Sequence, residues 1–278
     1  MSMSGGFTES WVWKDTQFES LALIPIEDRG FRYGMSVFET VAMVGGRAVF
    51  LFEHLHRLEL AAARWEFPID PSALEGLSIF LKKFCWEEGL LRVHWTAGDG
   101  GPADAVSKGR LIVRYEKMSL PGSLGCESPL SVVRLKTDLS EQEGWKTGNY
   151  LKRCHLLTTA RRCKVDEALL EDGSGLLAGA VMANVFLVVN SDQLVTPQLR
   201  PGYRNGTVRE WVIKHHDVEE RDIAFSEVLS AKEIFLTNSR LGVATVTKLE
   251  GQRLEKGKIS RRIGGSYKEF LLSHGRGS

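Results

Sequence analysis

The feature that most constrains this fold is a run of aromatic and β-branched residues interrupted by two glycines. In DRGFRYGMSVFETVAMVGGRAVF, residues 28–50, Val and Phe side chains stand on both sides of Gly45 and Gly46. Such residues favour strands, and a Gly-Gly turn joins two strands into a hairpin. The N-terminal part of the chain is therefore predicted to form a sheet, with further short strands at residues 11–13 and 21–24.

Helical patterns follow this hairpin. In FEHLHRLELAAARW the apolar residues Leu55, Leu58 and Ala62 lie near one helical face. Asp70, as an N-cap before a proline, predicts the start of a second helix, which runs to about Glu88. LRVHWTAG and RLIVRYEK then predict two more strands of the same sheet.

The segment MSLPGSLG, residues 118–125, combines Ser, Pro and Gly and predicts a linker. Beyond it, the pattern indicates a helix from residue 149 to about 164. DEALLED, the D-G-S-G turn at 172–175 and LLAGAVMANVFLVV together predict a hairpin. GTVREWVIKHH predicts a short helix, and EIFLTNSRLGVATV a strand, a loop and a strand. The sequence therefore predicts an α+β protein with an N-terminal domain over residues 1–120 and a strand-rich domain over residues 126–278.

Composition excludes several classes of partner. The net charge of +1 creates no field that favours nucleic acid, and there is no apolar run of the roughly 18 residues that a membrane span needs. The start MSMSGGFTES lacks the apolar core of a signal peptide. The four cysteines show no CxxC or zinc-type spacing and indicate reduced thiols. We expect a cytoplasmic protein without a metal ion.

Lys146 lies in the stretch EGWKTGNYLKR, between a tryptophan and a Thr-Gly-Asn turn. Most lysines of a soluble protein are solvated surface groups, so this residue alone does not indicate a site. The pattern of the rest of the chain changes that interpretation.

Five stretches occur in an order that resembles the class IV aminotransferases, the fold-type IV enzymes that use pyridoxal phosphate (PLP). The stretches are DRGFRYGMSVFET, LFEHLHRL, EGWKTGNYLKR, DEALLEDGSGLLAGAVMANVFLV and VTPQLRPGYRNGTVR, and the resemblance runs from about residue 28 to 257. The family includes branched-chain and D-amino-acid aminotransferases and 4-amino-4-deoxychorismate lyases. The resemblance implies a smaller N-terminal α/β sandwich, a larger C-terminal pseudo-barrel and a homodimer.

The resemblance also implies a set of cofactor-binding residues. It places the Schiff base with PLP on Lys146, whose freed amine is the expected base. It makes Arg57 the cation that contacts the cofactor phosphate. Gly206, Thr207 and Val208 open a predicted helix, whose N-terminal N–H groups are suited to a phosphate. Without that context, Arg57 is a helix-surface cation and Gly206 a turn residue.

Five further residues complete the set that the resemblance implies. Ser239 occupies the position of another phosphate-binding hydroxyl, and Asn184 is expected near the cofactor. Phe38, Tyr33 and His94 are expected near the substrate. The alternatives are a loop hydroxyl for Ser239, a strand-edge amide for Asn184 and core aromatic residues for Phe38 and Tyr33.

One departure from the family concerns the electron sink. Five residues before Asn184 the family has a glutamate that pairs with the pyridine nitrogen of PLP, and here the residue is Gly179. Glu167, Glu171 and Asp172 lie in or before the preceding turn and do not replace it by sequence. The ring nitrogen is therefore expected to be neutral, which weakens the electron sink.

Three further departures concern local turns and the substrate carboxylate. Thr207 and Val208 reverse the family order, so the hydroxyl moves by one residue, and Met35 and Ser36 stand where an Asp-Gly pair is usual. Ala97 occupies the position of an arginine that binds the substrate carboxylate in some members. The candidates to replace that arginine are Arg32, His94, Arg110 and Arg240.

Three functions are compatible with these observations. The first is a PLP enzyme acting on an amino-acid-like substrate, by transamination or by elimination of pyruvate from aminodeoxychorismate. The loop Thr237-Asn238-Ser239 is more typical of the lyases than of the aminotransferases. The missing glutamate at position 179 is expected to impair transamination more than elimination. The second is a catalytically impaired homologue that binds PLP or another phosphate ligand. The third is a structural or interaction module, which predicts that Lys146, Arg57 and Asn184 do not converge in space.

Overall fold

The computed structural model describes residues 8–21, 23–106, 108–125, 129–254 and 257–274. The polar start and Cys126 lie outside these ranges, apart from the last three residues of MSMSGGFTES. The chain forms two compact units. The first extends to Ser119 and includes Trp145–Asn149, and the second contains Leu120–Gly144 and the chain from Tyr150 onward. The domain boundaries given above, with a linker at 118–125, stay predictions.

The first unit is an antiparallel sheet with helices. Its elements are β1 (Thr8–Lys14), β2 (Gln17–Ser20), α1 (Arg29–Tyr33), β3 (Ser36–Val44), β4 (Arg47–Ala48), α2 (Leu51–Arg64), α3 (Pro71–Lys82), β5 (Gly89–Thr96) and β6 (Arg110–Lys117). The six strands lie in the order β2-β1-β6-β5-β3-β4. β3 and β4 are the predicted hairpin, and Gly45 and Gly46 of its turn both have positive φ, which glycine adopts readily.

Helix α2 packs its apolar face against the sheet. Leu55, Leu58 and Ala62 are buried, as their spacing predicts. They share one hydrophobic core with Val37 and Val41, which point from β3 to the same side. These two residues stand at alternate positions along the strand, so Glu39 between them points to the same side as well.

Two predicted elements of this unit differ in the structure. Helix α3 begins at its Asp70 cap, which accepts a hydrogen bond from Ser72, but it ends at Lys82 instead of running to Glu88. The Trp86 Nε1 group donates to the carbonyl of Leu81 at 2.8 Å, so the chain turns back onto the helix end. Residues 21 and 23–24 are not a strand. The chain turns tightly after β1, so the strand that pairs with β1 lies earlier than predicted, at Gln17–Ser20.

The second unit contains a larger mixed sheet. Its elements are β7 (Leu130–Lys136), α4 (Leu151–Arg162), β8 (Glu167–Glu171), β9 (Leu177–Ala180), β10 (Asn184–Val188), β11 (Leu194–Pro197), α5 (Thr207–His215), β12 (Val218–Arg221), α6 (Phe225–Val228), β13 (Glu233–Asn238), β14 (Gly242–Leu249), β15 (Gln252–Arg253) and α7 (Lys258–His274). Short 3-10 helices cover Pro121–Leu124, Glu141–Gly144 and Asn190–Asp192.

The strand order of this sheet is β12-β11-β10-β13-β14-β7-β8-β9, with β15 paired to β14. β8 and β9 form the predicted hairpin. The apolar run LLAGAVMANVFLVV is not one strand, however, because the chain leaves the hairpin after Ala180 and β10 pairs with β13. The predicted helices at α4 and α5 and the strand pair β13–β14 are confirmed.

Within the described residues no helix is both long and apolar enough to cross a membrane. The same residues contain no cluster of three or more His, Cys, Asp or Glu side chains suited to a metal ion. Cys85, Cys154 and Cys163 are exposed free thiols.

Candidate functional site

The Lys146 backbone belongs to the first unit and is bound to the edge of β3. The Phe38 N–H donates to the carbonyl of Lys146 at 2.8 Å, and the Gly148 N–H donates to the carbonyl of Ser36 at 2.8 Å. The preceding Trp145 packs against the hydrophobic core. Because both neighbours are anchored, the Lys146 side chain is held inward and is only 19% exposed. It is not an ordinary surface lysine.

Glu39 is the centre of a buried group of charges that we call the Glu39 cluster, formed by Glu39, His54, Arg57 and Lys146. One oxygen, Glu39 Oε2, lies 2.7 Å from His54 Nδ1 and 2.8 Å from Arg57 Nη2. The Lys146 Nζ atom lies 3.7 Å from the same oxygen. His54 and Arg57 are separated by three residues on α2 and therefore share a helix face. The cluster brings the predicted lysine and the predicted phosphate-binding arginine to one carboxylate.

The environment fixes the charges of this cluster. Burial would raise the pKa of Glu39, but the Lys146 charge, the hydrogen bond from His54 and the Arg57 charge hold it far below its usual range. Burial lowers the pKa of His54, so its imidazole is neutral at neutral pH. An ionised carboxylate only accepts hydrogen bonds, so His54 Nδ1 carries the proton that it donates to Glu39.

Two of the three predicted substrate residues lie beside Lys146. Phe38 and His94 are opposite each other on β3 and β5, with rings stacked at a centroid distance of 5.3 Å. The Lys146 Nζ atom lies 5.3 Å from the centre of the Phe38 ring. Burial and neighbouring arginines lower the pKa of His94 to about 4, so it is neutral at neutral pH. Tyr33 ends α1, is 37% exposed and stacks with Arg32 instead.

The predicted phosphate cradle lies in the second unit, at the start of α5. Gly206 is the N-cap residue, and no side chain caps the helix there. The Asn184 side chain donates to the carbonyl of Arg204 at 2.6 Å and so holds the turn that leads into the helix. A Cβ atom at Gly206 would overlap with Asn184 Oδ1, so only glycine allows this approach. The arrangement leaves the N–H groups of the first turn suited to an anion.

The polar groups beside this helix also fit a phosphate. Thr237 of β13 lies opposite Asn184 in the sheet, so the two side chains share a face. Its hydroxyl is buried and has no hydrogen-bond partner among the described residues. Thr207 and Val208 are buried in the first turn of α5, and Ser239 is half-buried in the turn after β13. A buried hydroxyl without a partner is uncommon, and this one is suited to donate to a phosphate oxygen.

The three acids nearest Gly179 in the preceding sequence all have other partners. Glu167 accepts hydrogen bonds from the backbone of Ala168 and Met182. The other two candidates are also engaged: Glu171 pairs with Arg134, and Asp172 accepts from the Tyr203 hydroxyl.

Glu167 has a further consequence for stability. Burial raises its pKa from 4.5 to about 7. The unfolded chain then releases this proton at a lower pH than the folded chain, so the free energy of unfolding falls as pH rises between these values, by on the order of 3 kcal/mol.

We expect Glu167→Gln to remove this fall in the free energy of unfolding with rising pH, measured by urea unfolding at several pH values. Exposed Glu250 provides the control, Glu250→Gln. An unchanged slope in Glu167→Gln would contradict the assignment.

The candidates for a substrate-carboxylate anchor have other partners. Arg110 contacts Asp28 at 2.5 Å and Asp99 at 2.6 Å, and therefore stabilises the first unit. Arg32 pairs with Glu27 at 2.8 Å, and Arg240 is exposed in the turn after β13. His94, beside Lys146, is uncharged at neutral pH and offers only a hydrogen bond.

Comparison with known proteins identifies the family. Residues 36–249 match the family model described as amino-transferase class IV. The chain is 31% identical to a probable branched-chain-amino-acid aminotransferase of Aquifex aeolicus, over 92% of this chain and 88% of that protein. It is 25% identical to an aminodeoxychorismate lyase of Vibrio harveyi, over 87% of this chain and 95% of that protein. It spans about half, 51%, of the branched-chain-amino-acid aminotransferase-like protein 2 of Arabidopsis thaliana, at 24% identity over 96% of this chain.

Solved structures share the fold. A hypothetical aminotransferase from Mycobacterium tuberculosis in its PLP-bound form superposes with a TM-score of 0.79 at 20% identity, covering 96% of this chain and 99% of that one. A 4-amino-4-deoxychorismate lyase from Pseudomonas aeruginosa superposes with a TM-score of 0.77 at 26% identity, covering 94% and 98%. The α+β, fold-type IV architecture is thereby confirmed, and the chain belongs to the class IV aminotransferases, a family of PLP-dependent enzymes.

Proposed function

We propose that this protein uses PLP, bound as a Schiff base to Lys146, to transform an amino-acid-like substrate. The observation that carries the proposal is the Glu39 cluster, in which a partly buried lysine amine lies 3.7 Å from an ionised carboxylate. A solvated surface lysine does not require a buried carboxylate beside it, whereas a nucleophilic amine must be held in one position. Bound PLP supplies the electron sink for the charge left when the substrate loses its α-proton.

The residues of the chain then have separate tasks. Lys146 Nζ bonds to the cofactor and, once released by the substrate, moves the α-proton. Arg57, which Glu39 orients at 2.8 Å, supplies positive charge for the phosphate. In the second unit, the start of α5 at Gly206 and the Ser239 hydroxyl are proposed phosphate contacts. Phe38 and His94 provide an aromatic wall for the substrate.

Two reactions of this class remain to be distinguished. In transamination the amino group of the substrate passes to a keto acid, and the substrate itself leaves as a keto acid. In the lyase reaction aminodeoxychorismate breaks into 4-aminobenzoate and pyruvate. The Thr237-Asn238-Ser239 loop after β13, which is more typical of the lyases, favours the lyase reaction of the two.

The test supplies the PLP-loaded protein with aminodeoxychorismate in one series, and with branched-chain or D-amino acids plus 2-oxoglutarate in the other. Formation of 4-aminobenzoate and pyruvate supports the lyase reaction, and keto acid with new glutamate supports transamination. Should PLP bind through Lys146 while neither reaction occurs, the catalytically impaired homologue becomes the better description. If PLP does not bind, the proposal is wrong. The homodimer and the cytoplasmic location stay predictions from the resemblance.

A further inference from the structure

Three nitrogen atoms surround one oxygen in the Glu39 cluster, and all of them belong to the first unit. His54 Nδ1 lies 2.7 Å from Glu39 Oε2, and Arg57 Nη2 lies 2.8 Å from it. Both are hydrogen-bond distances, whereas the Lys146 Nζ atom, at 3.7 Å, lies beyond that range. A carboxylate oxygen has two lone pairs, so His54 and Arg57 fill it. The lysine amine is therefore close to the charge of Glu39 without a hydrogen bond to this oxygen.

His54 fills its share of the oxygen only when its proton lies on Nδ1. Burial lowers the pKa of His54, so the ring is neutral at neutral pH and carries a single N–H group. With the proton on Nε2, the lone pair of Nδ1 would face the carboxylate oxygen at 2.7 Å, which is repulsive. Arg57 Nη2, 3.2 Å from His54 Nδ1, could then donate to the ring instead of to Glu39. The carboxylate therefore selects the Nδ1 tautomer.

Glu39 carries the negative charge of this group. The titratable and charged side chains that act on one another here are Glu39 of β3, His54 and Arg57 of α2, His94 of β5 and Lys146, and Arg92 of β5 and Arg114 of β6 act on His94. Burial lowers the pKa values of both histidines, so neither adds a charge at neutral pH. His54 thus satisfies the carboxylate as a neutral donor, without a further cation beside the lysine.

The bond that Glu39 makes determines how firmly Lys146 holds its proton. An ammonium group that donates a hydrogen bond to a carboxylate keeps its proton more firmly than one that only lies near it. A protonated amine has no lone pair and cannot attack the aldehyde of PLP. We propose that His54 is a positioning residue, whose Nδ1–H group occupies Glu39 Oε2 and so prevents a close ion pair between Glu39 and Lys146. This inference rests on the proposed function of Lys146, and His54 acts through Glu39.

Competitive labelling of the full chain with acetic anhydride tests this role without PLP and without turnover. The reagent acylates neutral amines, so the pH of half-maximal labelling of the Lys146 peptide reports where this amine loses its proton. Exposed Lys108 is measured in the same sample as an internal reference. In His54→Leu the vacated lone pair of Glu39 should bind Lys146, and the labelling midpoint of Lys146 should rise by about 1–2 pH units. The Lys108 midpoint should stay the same.

His54→Asn is the conservative variant, because the side-chain amide can donate from the position of Nδ1. Its Lys146 midpoint should stay close to that of the unmodified protein. His56→Leu is the matched control, since His56 lies on the exposed side of the same helix. Equal Lys146 midpoints in the unmodified protein and His54→Leu would overturn the proposal. The same rise in His54→Asn as in His54→Leu would also overturn it, because His54 would then act through packing.

A second measurement does not depend on any variant that must fold. 15N NMR of the unmodified protein distinguishes the protonated from the unprotonated nitrogen of a neutral imidazole, and we expect the His54 proton on Nδ1. A proton on Nε2 would overturn the proposal. Failure of PLP to bind is a separate result, because it rejects the proposed function, whereas the labelling midpoint and the tautomer are measured without the cofactor.

Discussion

Replacing Lys146 with alanine is expected to remove covalent PLP and to lower kcat by about 10³-fold or more, because one amine both bonds to the cofactor and moves the substrate proton. The unmodified protein should absorb in the visible range, and borohydride should bleach that band. Mass spectrometry of the reduced protein should then find the PLP adduct on the peptide that contains Lys146. In Lys146→Ala both the band and the adduct should be missing.

A second lysine of the first unit tests whether this effect is specific. Lys108 is 72% exposed and pairs with Asp15 on the surface. Lys108→Ala should keep the visible band, the adduct and the activity. An adduct on another lysine in the unmodified protein, or unchanged activity in Lys146→Ala, would reject the assigned nucleophile.

Replacing Glu39 with glutamine is expected to lower the free energy of unfolding at neutral pH by about 3 kcal/mol, because it leaves buried positive groups without their anion. The carboxylate is buried, and three donors surround it. Its folded pKa lies below the value of 4.5 for an unperturbed group. The contribution of Glu39 is therefore complete above pH 4.5 and is lost as pH falls below it.

Urea unfolding at several pH values measures this effect. The difference between the unmodified protein and Glu39→Gln should be largest near neutral pH and should shrink in acid. Glu87→Gln is the control, since Glu87 is 65% exposed in its ion pair with Lys117 and exposed pairs contribute little. A pH-independent difference would show that Glu39 acts through packing and not through its charge.

Local sequence signals predicted much of the fold. Asp70 before a proline marks the start of α3, and the spacing of Leu55, Leu58 and Ala62 marks the buried face of α2. Both signals depend on neighbours within one or two helical turns, so they can be read from the sequence. The end of α3 depends on where the Trp86 indole folds back, which no local pattern contains.

The site was predicted less completely. Lys146, Arg57 and Asn184 stay predictions from the order of the motifs, and Glu39 and His54, which the structure brings to Arg57 and Lys146, were not among them. Glu39 had a signal, because a carboxylate at a core-facing position between Val37 and Val41 is unusual and needs a partner.

The sequence by itself determined the class of the fold, the family and the residue expected to hold PLP, because periodicity, caps and ordered motifs are written along the chain. Only the tertiary structure decided what surrounds that residue. The segment at 146–148 pairs with β3 of the first unit, and this pairing brings Lys146 to Glu39. Contacts between distant segments arise from strand pairing and helix packing, which the order of residues does not display.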